Sequence, residues 1–157
     1  SAEMLDLSGL VQTIALRLQD AHSERKMEFR IQPGLAAYAD RRLMEAALTN
    51  LLENAVKFTG PRPEALIEFG CTEADDPETG TRGRVFFVRD NGVGFDMAYS
   101  NELFGAFRRL HKSAEFPGTG IGLASVQRIV HRCGGRVWAI AQVDQGATFY
   151  FTLRGTL

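Results

Sequence analysis

The chain has 157 residues, 45% of them hydrophobic and 24% charged, with a formal net charge of −1. This is the make-up of a soluble globular protein with a single domain over 1–157, large enough for a sizeable core. The balanced charge, and the lack of a bilayer-length apolar run or a signal peptide, exclude a nucleic-acid partner and contact with a membrane.

The pattern of elements is read in chain order. Leu7, Val11, Ile14, Leu18 and Ala21 recur on one face of a helix, and Met27, Phe29 and Ile31 alternate as a strand. Pro33-Gly34 is a turn, and Ala36 to Ala39 is a candidate short strand. Asp40 is an N-cap for a helix carrying Leu43, Ala47, Leu51 and Ala55, which stops at Thr59-Gly60-Pro61. Ala65 to Cys71 and Val85 to Arg89 form two strands of a long hairpin around the polar segment from Asp75 to Gly80. Residues 91–119 show little periodicity, and a segment of that length reads as a lid or a disordered stretch. A helix from Ile121 to His131, ended by Cys133-Gly134-Gly135, precedes two strands, Arg136 to Ala141 and Ala147 to Leu153. Three helices with five or six strands, the strands arriving as adjacent pairs, predict a two-layer α+β sandwich with helices on one face of a mixed sheet. Cys71 and Cys133 belong to no Cys-x-x-Cys pair and read as buried free thiols in a reducing cytoplasm, which argues against zinc.

Four stretches carry candidate chemistry. On the helix after Asp40, Asn50, Asn54 and Lys57 fall within an arc of about 60°. An amide oxygen suits Mg²⁺ and a lysine meets phosphate, although a solvated polar face would look the same. In Asp90-Asn91-Gly92-Val93-Gly94 a carboxylate ends an apolar strand. If buried, it would accept from the exocyclic amine of adenine and disfavour guanine; the alternative is an Asx turn. Gly118-Thr119-Gly120-Ile121-Gly122-Leu123 opens a helix and offers N–H groups to phosphate. It lacks the spacing of a dinucleotide fingerprint or a P-loop, and a plain loop-to-helix junction remains open. Leu103 to Lys112 contains Phe104 and Phe107, able to pack a mobile segment on the core, and the cations Arg108, Arg109, His111 and Lys112; an amphipathic turn is the alternative.

Together, in this order, the stretches resemble the catalytic and ATP-binding domain of sensor histidine kinases, within the superfamily of gyrase, the heat-shock-90 chaperones and mismatch-repair ATPases. The N box is similar to Asn50 through Thr59, the G1 box to Asp90 through Phe95, the F box to Leu103 through Phe107, and the G2 box to Gly118 through Leu123. Gly146-Ala147-Thr148-Phe149 resembles the terminal glycine motif, and the wording from Leu103 to His111 resembles the phytochrome-like branch. The resemblance runs from Leu7 to Leu153. It implies a Bergerat-type fold, with a mixed five-stranded sheet covered on one face by three helices, and the cofactors ATP and Mg²⁺. Asn54 is then expected to ligate Mg²⁺, with Asn50 supporting phosphate or metal-bound water and Lys57 and Arg109 contacting the terminal phosphates. Asp90 is expected to accept from adenine, with Gly92 and Gly94 giving the base room and Phe58 beside it. Gly118, Gly120, Gly122 and Leu123 would face phosphate, and Thr148 would sit near adenine.

One departure is informative. Hydrolysing members of the superfamily carry a general-base Glu one turn before the metal Asn. This chain has Asn50 there, while Glu53 points about 100° away from Asn54. The resemblance therefore implies phosphoryl donation rather than rapid hydrolysis. None of His22, His111 and His131 is followed by an acidic residue, so the phosphoacceptor is expected on a dimerisation domain elsewhere in a longer protein, with a response regulator downstream. The start at Ser1 fits such a fragment. A serine kinase of the anti-sigma-factor type, or an ATP-binding regulatory module without transfer activity, are the rival readings.

Overall fold

The computed structural model describes residues 1–105 and 121–154. The chain runs β1 (Ala2–Asp6), α1 (Leu7–Ala21), β2 (Met27–Ile31), β3 (Ala36–Asp40), α2 (Arg41–Phe58), β4 (Ala65–Asp75), β5 (Arg82–Asp90), a 3-10 turn (Met97–Glu102), α3 (Ile121–Arg132), β6 (Val137–Gln142) and β7 (Gly146–Phe151). One mixed sheet has the order β2-β4-β5-β7-β6, with β2 parallel to β4 and the other pairs antiparallel. The expected two-layer fold, five strands with three helices, is therefore present.

Aspartates cap both α1 and α2, the one at Asp40 as expected. Asp6 accepts from the Gly9 N–H (2.9 Å) at the start of α1, and Asp40 accepts from the Leu43 N–H (3.1 Å) at the start of α2. The carbonyl end of α2 is closed from outside the helix. Arg25, in the turn after α1, donates to the Val56 carbonyl (2.7 Å) and the Thr59 hydroxyl (3.1 Å). That contact fixes the last turn of α2, and with it Phe58.

The core lies between the helices and one sheet face. Strand period two puts Ile67, Phe69, Phe86, Val88, Phe149 and Phe151 on that face, against Leu48, Leu51 and Leu52 of α2 and Val126 and Val130 of α3. Phe69 stacks on Phe86 at 6.3 Å, and Phe86 meets Phe151 at 5.3 Å. On the opposite face Trp138 stacks on Tyr150 at 5.8 Å, and the Arg89 guanidinium lies 4.6 Å from the centre of the Phe87 ring.

Three features differ from expectation. β1 is a strand that the sequence pattern does not announce. It pairs antiparallel with β3 as a separate two-stranded sheet, with Met4 opposite Tyr38. Its only large apolar residues, Met4 and Leu5, are adjacent rather than alternating, so its strand form comes from its partner. The 3-10 turn lies inside the aperiodic stretch and is capped by Asp96, which accepts from the Ala98 N–H at 2.9 Å. Cys71 and Cys133 are free but half-buried, not fully enclosed, because each lies at the margin of the core. Among the described residues, no helix is long and apolar enough to cross a membrane.

Candidate functional site

The polar face of α2 forms one wall. Asn50 donates through Nδ2 to the Gly122 carbonyl (3.4 Å), which ties the middle of α2 to the first turn of α3. One turn on, Asn54 has a buried Nδ2 with no hydrogen-bond partner among the described residues. A buried amide N–H left unpaired costs about 1–3 kcal/mol, so the position is kept at some expense to stability. Lys57 is exposed in the last turn, and Glu53 is exposed off this arc.

Asp90 forms the second wall. It ends β5 on the core face, 5% exposed, in register with Ile67 of β4 and Ala147 of β7. Its Oδ1 accepts from the Gly92 N–H at 2.8 Å. Burial pushes the carboxyl up to about 6; the Gly92 and Ala147 N–H groups and the Arg62 charge oppose this without cancelling it. The chain then closes on α2, the Val93 N–H donating to the Phe58 carbonyl at 3.0 Å. The buried carboxylate and the orphaned amide are thus carried by elements joined to each other.

The glycines at 92 and 94, expected to give adenine room, are each required by close packing of the chain itself. A Cβ on Gly92 would lie 2.4 Å from the Phe58 carbonyl oxygen. One on Gly94, whose φ is +61°, would lie 2.1 Å from the Gln142 carbonyl oxygen. Gly92→Ala is therefore expected to destabilise the protein by about 1–3 kcal/mol through overpacking. It should weaken nucleotide binding as well, because the Gly92 N–H must move away from Asp90. Paired thermal melts and ATP titrations check this, and wild-type values in both would contradict the packing account.

Thr148 also needs correction. It pairs with Arg89, accepts from Arg89 Nε at 3.3 Å, and faces the side of the sheet opposite Asp90. Ala147 is the residue beside Asp90. Leu123 sends its side chain into the core, so only its backbone could meet phosphate. Gly122 faces the Asn50 side chain with ordinary spacing. Phe58 is buried at the end of α2. Phe104 packs edge-on against Phe149 at 6.3 Å, as expected for its segment. Arg109, Gly118 and Gly120, like Phe107, Arg108, His111 and Lys112, lie outside the described residues.

Two residues at this site carry no signal that sequence reasoning singled out. Asn91 is a side-chain staple: it accepts from the Leu66 N–H (2.9 Å) and donates to the Glu64 carbonyl (3.0 Å), fixing the turn to the start of β4. Arg62 donates to two backbone carbonyls of the same turn, those of Asn91 and Gly92, and to a third, that of Asp144, in the β6–β7 turn.

Comparison with known proteins agrees with this geometry. Residues 39–157 match the family model described as histidine kinase-, DNA gyrase B- and HSP90-like ATPase. A methanogenesis regulatory histidine kinase, FilI, of Methanothrix harundinacea is 42% identical over 73% of this chain and 12% of its own length. Cyanobacterial phytochrome B of Nostoc is 34% identical over 98% of this chain and 20% of its own length. The mycobacterial sensor histidine kinase MprB shares the fold at a TM-score of 0.76 and 22% identity, covering 98% of this chain and 97% of that one. Full-length ShkA, solved in complex with AMPPNP, gives a TM-score of 0.72 at 27% identity, covering 96% of this chain and 30% of that one. The chain belongs to this ATPase family. It spans only 12% and 20% of the two curated relatives named.

Proposed function

We propose that the domain binds ATP with Mg²⁺ between α2, the Asp90 turn and the start of α3, and offers the γ-phosphate to a histidine nitrogen on a separate dimerisation and phosphoacceptor domain. The phosphoryl group then passes to an aspartate of a response regulator, and the work is done in the cytoplasm, where ATP is supplied. The single observation that carries the reading is the pairing of a buried carboxylate, Asp90, with an orphaned buried amide, Asn54, on elements joined through Phe58 and Val93. Along α2, Phe58 and Asn50 are separated by about 12 Å of helix rise, enough to lay out a base, a sugar and a phosphate chain.

The residues fit the metal. Among the described residues there is no cluster of His, Cys, Asp and Glu able to cage a cation. Mg²⁺ takes few protein ligands and shares its shell with phosphate and water. The Asn54 amide loses no hydrogen bond when it turns Oδ1 toward a hard cation. Once bound, Mg²⁺ neutralises charge on the phosphates. Lys57 adds a cation beside them, and Arg109, Gly118 and Gly120 keep the phosphate roles that the resemblance gives them. Asp90 fixes the base, and Asn50 supports the phosphate end while leaving water without a general base. Catalysis of this kind is positioning and charge neutralisation.

Calorimetric titration with ATP and GTP tests the base assignment. A carboxylate facing the guanine carbonyl sets two acceptors against each other, so ATP is expected to bind about 10²-fold more tightly. Equal affinity for the two nucleotides would sink the assignment of Asp90 to adenine.

A further inference from the structure

We propose that Arg62 is a positioning residue for base recognition: its guanidinium locks the Asp90–Gly92 turn to the β6–β7 turn and so sets the direction of the Asp90 carboxylate. The inference rests on the reading of Asp90 as the adenine acceptor.

Arg62 sits in the loop after α2, its own N–H bonded to the Thr59 carbonyl at 2.9 Å. From that anchor Nε donates to the Asn91 carbonyl (2.9 Å), and Nη2 donates to the Gly92 carbonyl (2.9 Å) and the Asp144 carbonyl (3.0 Å). A rigid planar fork with several donors can join three acceptors from two turns; the single ammonium of a lysine cannot hold that geometry. The side chain is 31% exposed, and its only carboxylate contact among the described residues, to Asp144, is long at 4.0 Å. A surface ion pair of that kind contributes little, so the carbonyls are the targets. Both turns hold left-handed backbone, at Gly94 (φ +61°) and at Asp144 (φ 65°), the latter the one non-glycine residue of that kind among the described residues. Gly92 also supplies the N–H that orients Asp90 Oδ1. Releasing the Gly92 carbonyl therefore releases the carboxylate.

Arg62 acts on Asp90 by charge as well. On the same sheet face Asp90 is flanked by Ile67 and Ala147, and the end of α2 contributes Phe58 and Thr59; Glu68 and Arg89 point to the opposite face. The guanidinium favours the ionised carboxylate against its burial. Loss of Arg62 should therefore raise the pH at which acid weakens nucleotide binding.

The test is ATP titration of the 157-residue chain between about pH 5 and 8, for wild type, Arg62→Ala, Arg62→Lys and Asp90→Asn, with a thermal melt of each. Arg62→Ala is expected to bind ATP about tenfold more weakly at neutral pH, with its acid limb moved to higher pH. Arg62→Lys keeps the charge but not the fork: its affinity should fall part of the way, with the acid limb unmoved. Wild-type affinity and acid limb in Arg62→Ala, alongside lost binding in Asp90→Asn, would overturn the role of Arg62 alone. Unimpaired binding in Asp90→Asn would instead remove the adenine reading beneath it. If Arg62→Ala melts too low to titrate, Arg62→Lys decides, and wild-type affinity there overturns the proposal.

Discussion

Asp90→Asn is expected to move binding and stability in opposite directions. ATP affinity should fall about tenfold to hundredfold, because an amide can turn a donor toward the adenine amine and leave a buried polar pair unmatched. The nucleotide-free protein should become more stable at neutral pH. Folding raises the Asp90 carboxyl from 3.8 to about 6. The folded state therefore binds the proton more tightly, and the associated stability is full below about pH 4 and is lost as pH rises through about 6. Above that, the buried charge costs up to about 3 kcal/mol, which asparagine removes while its Oδ1 still accepts from Gly92. Melts at about pH 8 and at about pH 4 check the sign: the variant should gain at the higher pH and lose that gain at the lower. A variant that melts below wild type at pH 8, or binds ATP as wild type does, would contradict the account.

Asn54→Ala is expected to show the same opposition at the other end of the site. Deleting an amide whose Nδ2 is buried without a partner removes a cost of about 1–3 kcal/mol. The free protein should melt at or slightly above the wild-type temperature. Nucleotide binding should lose its dependence on Mg²⁺, and phosphoryl transfer should drop by about 10²- to 10³-fold, the scale seen when one preorganised charge-stabilising group is deleted. Titrations with and without Mg²⁺ read the first effect and single-turnover transfer the second. A Mg²⁺ dependence equal to that of wild type would remove Asn54 from the metal.

Both residues were legible in the sequence because local pattern places them. The apolar stripe of α2 turns Asn50, Asn54 and Lys57 to one side, and an apolar strand that ends in a carboxylate buries it. The aspartate caps of α1 and α2 are local in the same sense. What was missed depends on long-range register. Thr148 and Ala147 differ by one residue, which in a strand is the difference between two faces; only the pairing of Asp90 with Ala147 shows which one lies beside the carboxylate. Gly92 and Gly94 have a packing role that shows only when the Phe58 and Gln142 carbonyls are seen where a Cβ would go. Arg62, between two prolines, looks like any solvated loop arginine, and its carbonyl partners lie 29, 30 and 82 residues away in sequence. β1 has almost no pattern of its own and is a strand because β3 is there.

A stability cost at Asp90 and at Asn54 is what a site built for a ligand would show, since both polar groups are left to be completed by something outside the chain. The measurement that tests the central claim most directly is transfer of label from γ-labelled ATP, through this domain, to a histidine-bearing phosphoacceptor domain supplied in trans. The account predicts Mg²⁺-dependent labelling of that partner, lost in acid as phosphohistidine is, and slowed about 10²- to 10³-fold by Asn54→Ala. Absence of transfer from a domain that binds ATP, or label that survives acid, would contradict it.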